Sequence, residues 1–344
     1  MRSIIIKECG QEVFDYLSKY TDLCFKRTSV LFTDQQSSVE LLSDFFYTSV
    51  INLSKINDIR RINKFFEAVN FKLPINGVFI GLAETIEERN RRVIKKYPLW
   101  YTYLYFLIDF FFKRVMPKVW GLKKIYFLIT SGRNRVISKA EVLGRIVSCG
   151  FDIVDYQEIN NKLFFVGKKI REPFFDANPS YGPIFKMKRI GKNGNTIFVY
   201  KFRTMHPYSE YVQKHIYELN QLDEGGKFKN DFRVTFFGRF LRKFWIDELP
   251  MFWNLLKGQV KLVGVRPLSE QYLSLYTEEV RQKRIKFKPG IIPPFYVDMP
   301  KTIDEIMASE MRYIAAYEKK PFFTDVSYFY TAIYNIIFKK ARSK

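Results

Sequence analysis

The stretch WIDELPMFWNLLKGQVKLVGVRP, residues 245–267, places two adjacent carboxylates, Asp247 and Glu248, between clusters of basic side chains. The flanking basic residues are Arg239, Arg242, Lys243 and Arg266. With Asp247 as N-cap and Pro250 in the first turn, where a missing N–H costs little, the spacing predicts a helix that Gly258 ends. Apolar residues at i, i+3, i+4 and i+7 predict one buried face, formed by Leu249, Phe252, Trp253 and Leu256.

The position of the acidic pair at the start of this helix suggests chemistry on phosphate. The positive end of the helix dipole favours ionised carboxylates, so we expect a lowered pKa for Asp247 and a nucleophilic oxygen there. The nearby arginines can neutralise phosphate oxygens, and Glu248 offers oxygen ligands of the type that Mg²⁺ prefers. Acidic residues in a first turn also occur simply as capping residues, and the dipeptide by itself does not separate these alternatives.

The composition of the chain points to an anionic partner. The 344 residues include 57 Lys and Arg against 35 Asp and Glu, a net charge of +22. Nucleic acid, an anionic membrane surface and phosphorylated small molecules all fit such a field. With two histidines in the whole sequence, carboxylates are the expected catalysts. Three scattered cysteines indicate a reducing compartment and are expected to be buried.

The beginning of the chain has the pattern of an α/β domain. The segments VLFTD and GVFIGLAET predict buried strands, and INDIRRINKFFEAVNFKLPING predicts an amphipathic helix. Further on, Ser138 predicts a helix cap with Glu141 in the capping-box position, and Asn160 and Asn161 predict a turn between two strands. The short Met1 to Ile6 segment lacks the long apolar core of a signal peptide, so a cytosolic start is expected.

Residues 97–130 are unusually aromatic, and their apolar run is followed by Lys113, Arg114, Lys118, Lys123 and Lys124. The apolar run from Leu99 to Phe112 is shorter than the roughly 20 residues that a bilayer span needs. An interfacial helix on anionic headgroups, broken at Pro117, and an ordinary core helix are both compatible with this pattern. Two interpretations also fit the C-terminal stretch VSYFYTAIYNIIFKKARSK, namely a membrane-surface anchor or a helix packed against the core.

A basic β-hairpin is predicted from residue 182 onward, with its turn at Asn193 and Gly194. Lys188, Arg189 and Lys192 lie on its first arm and turn. Lys201 and Arg203 fall on one face of the second arm because strand side chains alternate. A solvated basic edge strand has the same pattern.

Residues 45 to 168 resemble the later half of a class I methyltransferase, with a strand at the LPINGVFIG turn followed by the terminal helix and hairpin. No Gly-rich turn from strand to helix that could hold S-adenosylmethionine occurs upstream. The resemblance therefore implies a remnant without methyl transfer. An unrelated small α/β domain is the alternative.

Residues 182 to about 292 resemble the bacterial sugar transferase family, the monotopic polyprenyl-phosphate phosphoglycosyl transferases. Seven pieces match in family order: GPIF, RIGKNG, YKFRTM, NDFRVTFFGRFLRK, DELPMFWNLLKG, LVGVRP and KPGI. The fold class that follows is α/β (α+β). It comprises a degenerate Rossmann-like α/β domain in residues 1–170, including the segment 97–130, and a sugar transferase catalytic domain with interfacial helices in residues 171–344.

The resemblance also implies roles for individual residues. In that family the aspartate matching Asp247 is the nucleophile on a nucleotide sugar, and the glutamate matching Glu248 supports Mg²⁺. Arg242 matches an arginine five residues before the nucleophile, and Arg266 matches a phosphate-clamping arginine of a Pro-Arg-Pro turn. The remaining candidate phosphate- or substrate-binding residues are Lys201 and Arg203, which match the family's KFRT pair, Arg239, and Asp325, which matches a carboxylate of the terminal segment.

The sequence departs from the family pattern at three places. Val265 replaces the first proline of the Pro-Arg-Pro turn, and KPGIIPPFYVD lacks the usual Thr-Gly-Trp. The family's hydrophobic re-entrant membrane helix, normally just before the GP strand, is also missing. Its nearest candidate is the segment from Phe106 to Trp120.

The resulting prediction is a transferase that moves a phosphosugar from a nucleotide sugar, expected to be a UDP-sugar, to polyprenyl phosphate and so initiates a lipid-linked glycan. Mg²⁺ is the expected cofactor, and the cytoplasmic face of the bacterial inner membrane is the expected location. The sequence leaves open whether the protein forms a homo-oligomer. The alternative is a non-catalytic, membrane-docked scaffold, favoured by the altered turn and the missing membrane helix. Nucleic-acid binding rests on charge alone and is not expected.

Overall fold

The computed structural model describes residues 2–119, 121–174, 182–213, 215–216, 231–339 and 341. The chain forms two compact units, Met1–Gly182 with Met205–Leu219, and Pro183–Thr204 with Asn220–Lys344. We call them unit 1 and unit 2. The boundary that the sequence predicts after residue 170 stays a prediction.

Unit 1 is built on a five-stranded sheet of order β1-β2-β3-β5-β4. Its strands are β1 (Thr28–Leu31), β2 (Ser49–Lys55), β3 (Val78–Ala83), β4 (Phe151–Ile159) and β5 (Lys162–Lys169). The first three are parallel, and β5 lies antiparallel between β3 and β4. This insertion places the β4–β5 hairpin as the resemblance of residues 45 to 168 implies, and the predicted α/β class is confirmed.

Helices cover this sheet, and their caps follow the sequence. Ser138 Oγ accepts a hydrogen bond from the Glu141 amide at 3.2 Å, as predicted, and Asn160 and Asn161 turn the hairpin with φ of 50° and 57°. The helices are α1 (Arg2–Cys9), α2 (Gln11–Ser18), α3 (Gln36–Glu40), α4 (Ile62–Lys72), α5 (Ile86–Lys96), α6 (Leu99–Phe110), α7 (Leu122–Thr130) and α8 (Lys139–Ser148).

The cysteines correct one expectation, since they are not all buried. Cys149 is buried, Cys9 is half-buried and Cys24 is exposed. All three are free thiols, as the scattered spacing predicted.

The aromatic segment 97–130 forms α6, a π-helical turn at Phe111–Val115, a 3-10 turn at Met116–Lys118 and then α7. Arg89 donates hydrogen bonds of 2.8 Å to Asp109 and to the Tyr105 hydroxyl, which holds α6 against α5. Much of the apolar surface of the segment faces solvent, including Trp100, Leu104, Ile108, Phe112 and Leu128. Among the residues that the structure describes, no helix combines the length and the apolar character that crossing a bilayer requires.

Unit 2 contains the predicted hairpin, β6 (Ile184–Ile190) paired antiparallel with β7 (Thr196–Phe202). Asn193 and Gly194 form its turn with φ of 57° and 76°, values that favour these two residues. A short parallel pair, β8 (Lys261–Val263) and β9 (Gly290–Ile292), lies elsewhere in the unit. The helices are α9 (Phe236–Lys243), α10 (Phe252–Leu256), α11 (Glu270–Leu273), α12 (Glu278–Arg284), α13 (Phe295–Asp298), α14 (Ile303–Lys319) and α15 (Pro321–Phe338).

Residues 245–258, around the acidic pair, differ from the single helix predicted for them. Residues Ile246–Met251 form a 3-10 helix that continues into α10, and Trp245, not Asp247, is the N-cap. Gly258, with φ of 67°, follows the end of the helix as predicted. The expected buried face is wrong: Leu249, Phe252, Trp253 and Leu256 are all exposed. Met251 and Asn254 are buried in their place because this side of the segment packs against strand β7.

Candidate active site

The acidic pair lies in the first turn of the 3-10 helix, and contacts of Trp245 hold the start of this helix in place. Trp245 adopts a left-handed conformation with φ of 55°, and its indole N–H donates to the Tyr296 hydroxyl at 2.9 Å. Its carbonyl accepts the Glu248 amide at 3.1 Å. This turn fixes where the backbone of the pair points.

Asn254 ties the same segment to strand β7. Its side chain is fully buried, donates to the Phe198 carbonyl at 2.7 Å and accepts the Tyr200 amide at 3.1 Å. A buried amide whose donors and acceptor are used is a strong positional constraint. The one signal that could have identified this residue from sequence is that it follows the acidic pair by six residues.

Lys201 of β7 reaches the acidic pair, as the hairpin prediction requires. Its ammonium donates to Glu248 Oε1 at 2.5 Å, and both side chains are largely buried. The other carboxylate oxygen of Glu248 has no hydrogen-bond partner among the described residues. The arrangement leaves one oxygen of Glu248 for a ligand.

The electrostatic environment of Asp247 contradicts the expected lowering of its pKa. Burial raises the pKa of Asp247 above its ordinary value, and the adjacent charge of Glu248 raises it further. Lys201, Arg242 and a backbone hydrogen bond act in the opposite direction without cancelling these effects. The dipole of a single 3-10 turn is weaker than that of the long helix assumed from sequence.

The arginines upstream of the pair differ in position. Arg242 Nε donates to Thr204 Oγ1 at 2.9 Å, and its charge acts on Asp247. Arg239 lies on the same helix, α9, and is exposed. The structure therefore brings Arg242 to the acidic pair, and it shows no contact between Arg239 and that pair among the described residues.

A cavity of about 360 Å³ adjoins the acidic pair within unit 2. Glu248 and Lys201 line it at one place, and Arg189 and Arg266 line it at others. Arg189 belongs to the basic hairpin but was not among the predicted site residues. Sequence reasoning missed other residues of the cavity wall, such as Tyr276, Ser309 and Glu310, because they lie far from Lys201 in sequence and belong to no recognised motif.

Arg266 is held through its backbone. The guanidinium of Arg284, which is buried, donates to the Arg266 carbonyl and forms an ion pair with Glu310 at 2.6 Å. The Arg266 side chain itself is exposed and forms no ion pair within the described chain. The backbone of the loop at Arg266 is thus held in place, and the guanidinium of Arg266 is available to a ligand.

Of the predicted site residues, Lys201, Glu248 and Arg266 line this cavity, and its lining does not include Asp247, Arg242, Arg239, Arg203 or Asp325. The Arg203 guanidinium lies 5.0 Å from the centroid of the Phe185 ring. Asp325 accepts from Lys261 at 2.9 Å and from the Tyr313 hydroxyl at 2.6 Å, a structural arrangement beneath β8. The structure gives Asp325 a packing role and does not bring it to the acidic pair.

The described residues contain no group of three or more His, Cys, Asp or Glu side chains that could enclose a metal ion. Mg²⁺ does not require such a cage, because it is commonly bound through one or two carboxylates together with substrate phosphates and water. The adjacent carboxylates, with one oxygen of Glu248 not engaged by Lys201, fit that mode of binding.

An exposed apolar rim, formed by Leu249, Phe252, Trp253 and Leu256, immediately follows the acidic pair. Leu256 is 79% exposed and Trp253 55%. Helix α9 adds Phe236, Phe240 and Phe244, spaced four residues apart, and Phe236 is 82% exposed. Contiguous exposed apolar surface marks a site of interaction with an apolar partner.

Glu248 of the acidic pair thus lines a cavity together with Arg189 and Arg266, which form no ion pair among the described residues, and an apolar rim follows the pair along the chain. Residues 176–339 match the family model described as bacterial sugar transferase. This match covers a little under half of the chain and falls on the segment whose motifs resemble that family.

Two curated relatives illustrate the match. The chain is 40% identical over 144 residues to galactosyl transferase CpsE of Streptococcus agalactiae, covering 40% of this chain and 31% of that protein. It is 43% identical over 117 residues to the UDP-glucose:undecaprenyl-phosphate glucose-1-phosphate transferase of Klebsiella pneumoniae, covering 33% of this chain and 23% of that protein. The chain thus spans less than a third of the length of either relative.

Among solved structures, an O-methyltransferase family protein from Burkholderia thailandensis covers 40% of this chain and 33% of its own at 11% identity, with a TM-score of 0.24. A score this low assigns no fold family. The expectation that unit 1 performs no methyl transfer stays a prediction.

Proposed function

We propose that the protein is a phosphoglycosyl transferase that moves a phosphosugar from a nucleotide sugar to polyprenyl phosphate at a membrane surface. The observation that carries the proposal is that Glu248, adjacent to Asp247 in sequence, lines a cavity with Arg189 and Arg266, which form no ion pair among the described residues, and that an exposed apolar rim follows the pair. A donor that dissolves in water and an acceptor that dissolves in lipid would need both environments. The donor expected from the relatives' names is a UDP-sugar.

In this proposal Asp247 is the nucleophile. A carboxylate oxygen forms a bond to the β-phosphorus of the donor as the bond to the bridging oxygen breaks, and the nucleoside monophosphate leaves with that electron pair. A phosphate oxygen of polyprenyl phosphate then attacks the same phosphorus, which releases the carboxylate and gives polyprenyl diphosphate-sugar. The covalent intermediate allows the two substrates to occupy the site in turn.

The raised pKa of Asp247 suits this role. A carboxylate whose charge is poorly solvated and faces a second carboxylate gains stabilisation when it forms a bond and loses that charge. The charges of Lys201 and Arg242 act in the opposite direction and limit the rise in the pKa of Asp247. In this proposal Lys201, Arg242 and Arg266 neutralise phosphate oxygens, which is supported by Lys201 and Arg266 lining the cavity and by the charge of Arg242 acting on Asp247.

Glu248, together with phosphate oxygens of the donor, would hold Mg²⁺. When bound, the ion would withdraw charge from the phosphates and stabilise the leaving group. Glu248 would keep one oxygen on Lys201 and turn the other toward the ligand, which orients the carboxylate before the donor arrives.

The apolar rim and α15 would place the site at the cytoplasmic face of the bacterial inner membrane. Helix α15 exposes Phe322, Val326, Tyr330, Tyr334 and Phe338 in a stripe of four-residue spacing. Aromatic side chains of this kind favour the interface between water and lipid. Such an orientation would bring a lipid phosphate to the height of Asp247.

The proposal is tested by release of nucleoside monophosphate from UDP-sugars in the presence of Mg²⁺ and polyprenyl phosphate. We expect turnover that disappears with Asp247→Asn, and Glu248→Gln should reduce both the rate and its dependence on Mg²⁺. The control is Lys188→Gln, which removes one exposed charge from the hairpin. Nucleotide-sugar binding without turnover across a panel of donors would favour the scaffold alternative instead.

A further inference from the structure

The cavity beside the acidic pair has more positive charge than its own acidic residues neutralise. Of the charged side chains that line it, Lys201 is paired with Glu248 at 2.5 Å, and Glu310 is paired with Arg284 at 2.6 Å. Arg189 and Arg266 form no ion pair with any acidic residue that the structure describes. Two arginines are therefore left without counter-charge in one cavity.

Arg189 is directed into this cavity by strand alternation. Met187 and Arg189 of β6, with Val199 and Lys201 of β7, share the face that lines it. The guanidinium donates to the Lys188 carbonyl at 2.8 Å and to the Met187 sulfur at 3.2 Å, and a thioether is a weak acceptor. Most of the donor capacity of this half-buried side chain is not used.

The two arginines act on each other across the cavity. Burial lowers the pKa of Arg189, and the positive charge of Arg266 lowers it further. Like charges in a partly buried space are unfavourable unless an anion lies between them. A second lysine, Lys301, also lines the cavity and adds to the positive field, and its charge acts on Glu305.

The opposite wall of the cavity offers neutral hydroxyls. Tyr276 is 4% exposed and Ser309 is 1% exposed, and neither hydroxyl oxygen has a hydrogen-bond partner among the described residues. Buried polar groups without partners are uncommon and are often completed by a ligand or water. The cavity thus places neutral hydroxyls beside the mutually paired Arg284 and Glu310 and within the field of Arg266.

We propose that Arg189, together with Arg266, binds the diphosphate of a nucleoside diphosphate-sugar, with the nucleoside lying toward Tyr276 and Ser309. The inference rests on the proposed function, and it adds Arg189 as a substrate-binding residue and assigns a direction to the donor. Arginine suits this task because its planar guanidinium forms paired hydrogen bonds with phosphate oxygens. Two guanidinium groups match the two phosphates of the donor.

The test is equilibrium binding of UDP and UMP, with GDP and TDP as alternative nucleotides, to the full chain and to Arg189→Gln. We expect the substitution to weaken binding of the preferred diphosphate by about tenfold or more, and that of its monophosphate by much less, since a charged hydrogen bond to one phosphate is lost. Arg189→Lys should recover part of the affinity. Lys188→Gln, on the other face of the same strand, should bind like the unchanged protein.

Unchanged diphosphate affinity in Arg189→Gln, with thermal stability preserved, would overturn the inference. Equal losses for diphosphate and monophosphate would also overturn it, as would absence of binding of every nucleoside diphosphate to the unchanged protein. Turnover tests the proposed function separately. Diphosphate binding that depends on Arg189 without any sugar transfer would leave the binding site in place and reject the transferase.

Discussion

At the scale of single residues, the site concentrates charge that the fold does not fully compensate. Asp247 is half-buried beside a second carboxylate, and the raised pKa of Asp247 records the cost of keeping it ionised. Residues at functional sites are often retained at the expense of stability. Two neighbouring acids on a tight turn are such a case, and the cost can be measured.

Asp247→Asn should therefore raise thermal stability at neutral pH, measured with EDTA present so that no metal contributes. Because the pKa of Asp247 is raised in the folded protein, the native state holds its proton more tightly than the unfolded chain does. Stability of the unchanged protein falls as pH rises from the ordinary aspartate value through the raised one, and the variant lacks this loss. The gain in melting temperature of Asp247→Asn over the unchanged protein should shrink toward pH 4. A variant that melts at a lower temperature than the unchanged protein at pH 7.5 would contradict the prediction.

The thiols provide a second test, in unit 1. Burial raises the pKa of Cys149 to about 12, whereas Cys24 is exposed. Iodoacetamide reacts with thiolate. At pH 8 we expect rapid alkylation of Cys24 and none of Cys149 until the protein is denatured, as followed by peptide mass spectrometry. Fast labelling of Cys149 in the folded state would mean that the packing of α8 against the sheet is wrong.

At the scale of elements, hairpins and caps could be predicted from sequence because their determinants are local. Asn193–Gly194 and Ser138 needed only neighbours within a few residues. The buried face of the segment from Leu249 to Leu256 was predicted wrongly. An apolar stripe shows which face of a helix is apolar, but it does not show whether the same protein covers that face. The cavity walls at Tyr276 and Ser309 could not be predicted at all, because they are brought to Arg189 by tertiary packing.

The start of α9 depends on close contact with the end of the hairpin. A Cβ added to Gly238 would lie 2.0 Å from the Thr204 carbonyl oxygen, and the Thr204 hydroxyl accepts from Arg242. Gly238→Ala should displace the helix and cost about 1–3 kcal/mol of stability, as overpacking does. Calorimetry should show a lower melting temperature, together with reduced turnover. Lys243→Ala, an exposed change on the same helix, is the control, and equal stability of the two variants would refute the contact.

The apolar rim should bind lipid. We expect Trp253→Ser combined with Leu256→Ser to weaken binding to vesicles of anionic and zwitterionic phospholipid by at least tenfold, because each exposed side chain contributes about 1–2 kcal/mol when buried. Vesicle co-sedimentation measures this. Leu41→Ser alters a leucine of unit 1 that is 87% exposed and serves as the control. If the control loses as much affinity as the double variant, the rim is not the docking surface.

At the scale of the whole molecule, the net charge of +22 and the exposed aromatic helices point in the same direction. Charge alone fits a nucleic acid equally well, but apolar surface beside the acidic pair fits a lipid surface and not a polynucleotide. The fold class and the family of residues 176–339 could be predicted from sequence because seven motifs occur in order. Both units are mixed α and β structures, each with its own sheet.

The central claim, that Asp247 carries the phosphosugar, is tested most directly by trapping. The full chain is incubated with nucleotide sugar and Mg²⁺ without polyprenyl phosphate, quenched in acid and mapped by mass spectrometry. The account predicts an added phosphosugar mass on the peptide that contains Asp247, absent from Asp247→Asn and lost when polyprenyl phosphate is supplied. If lipid-linked product accumulates while residue 247 is never modified, the account is contradicted.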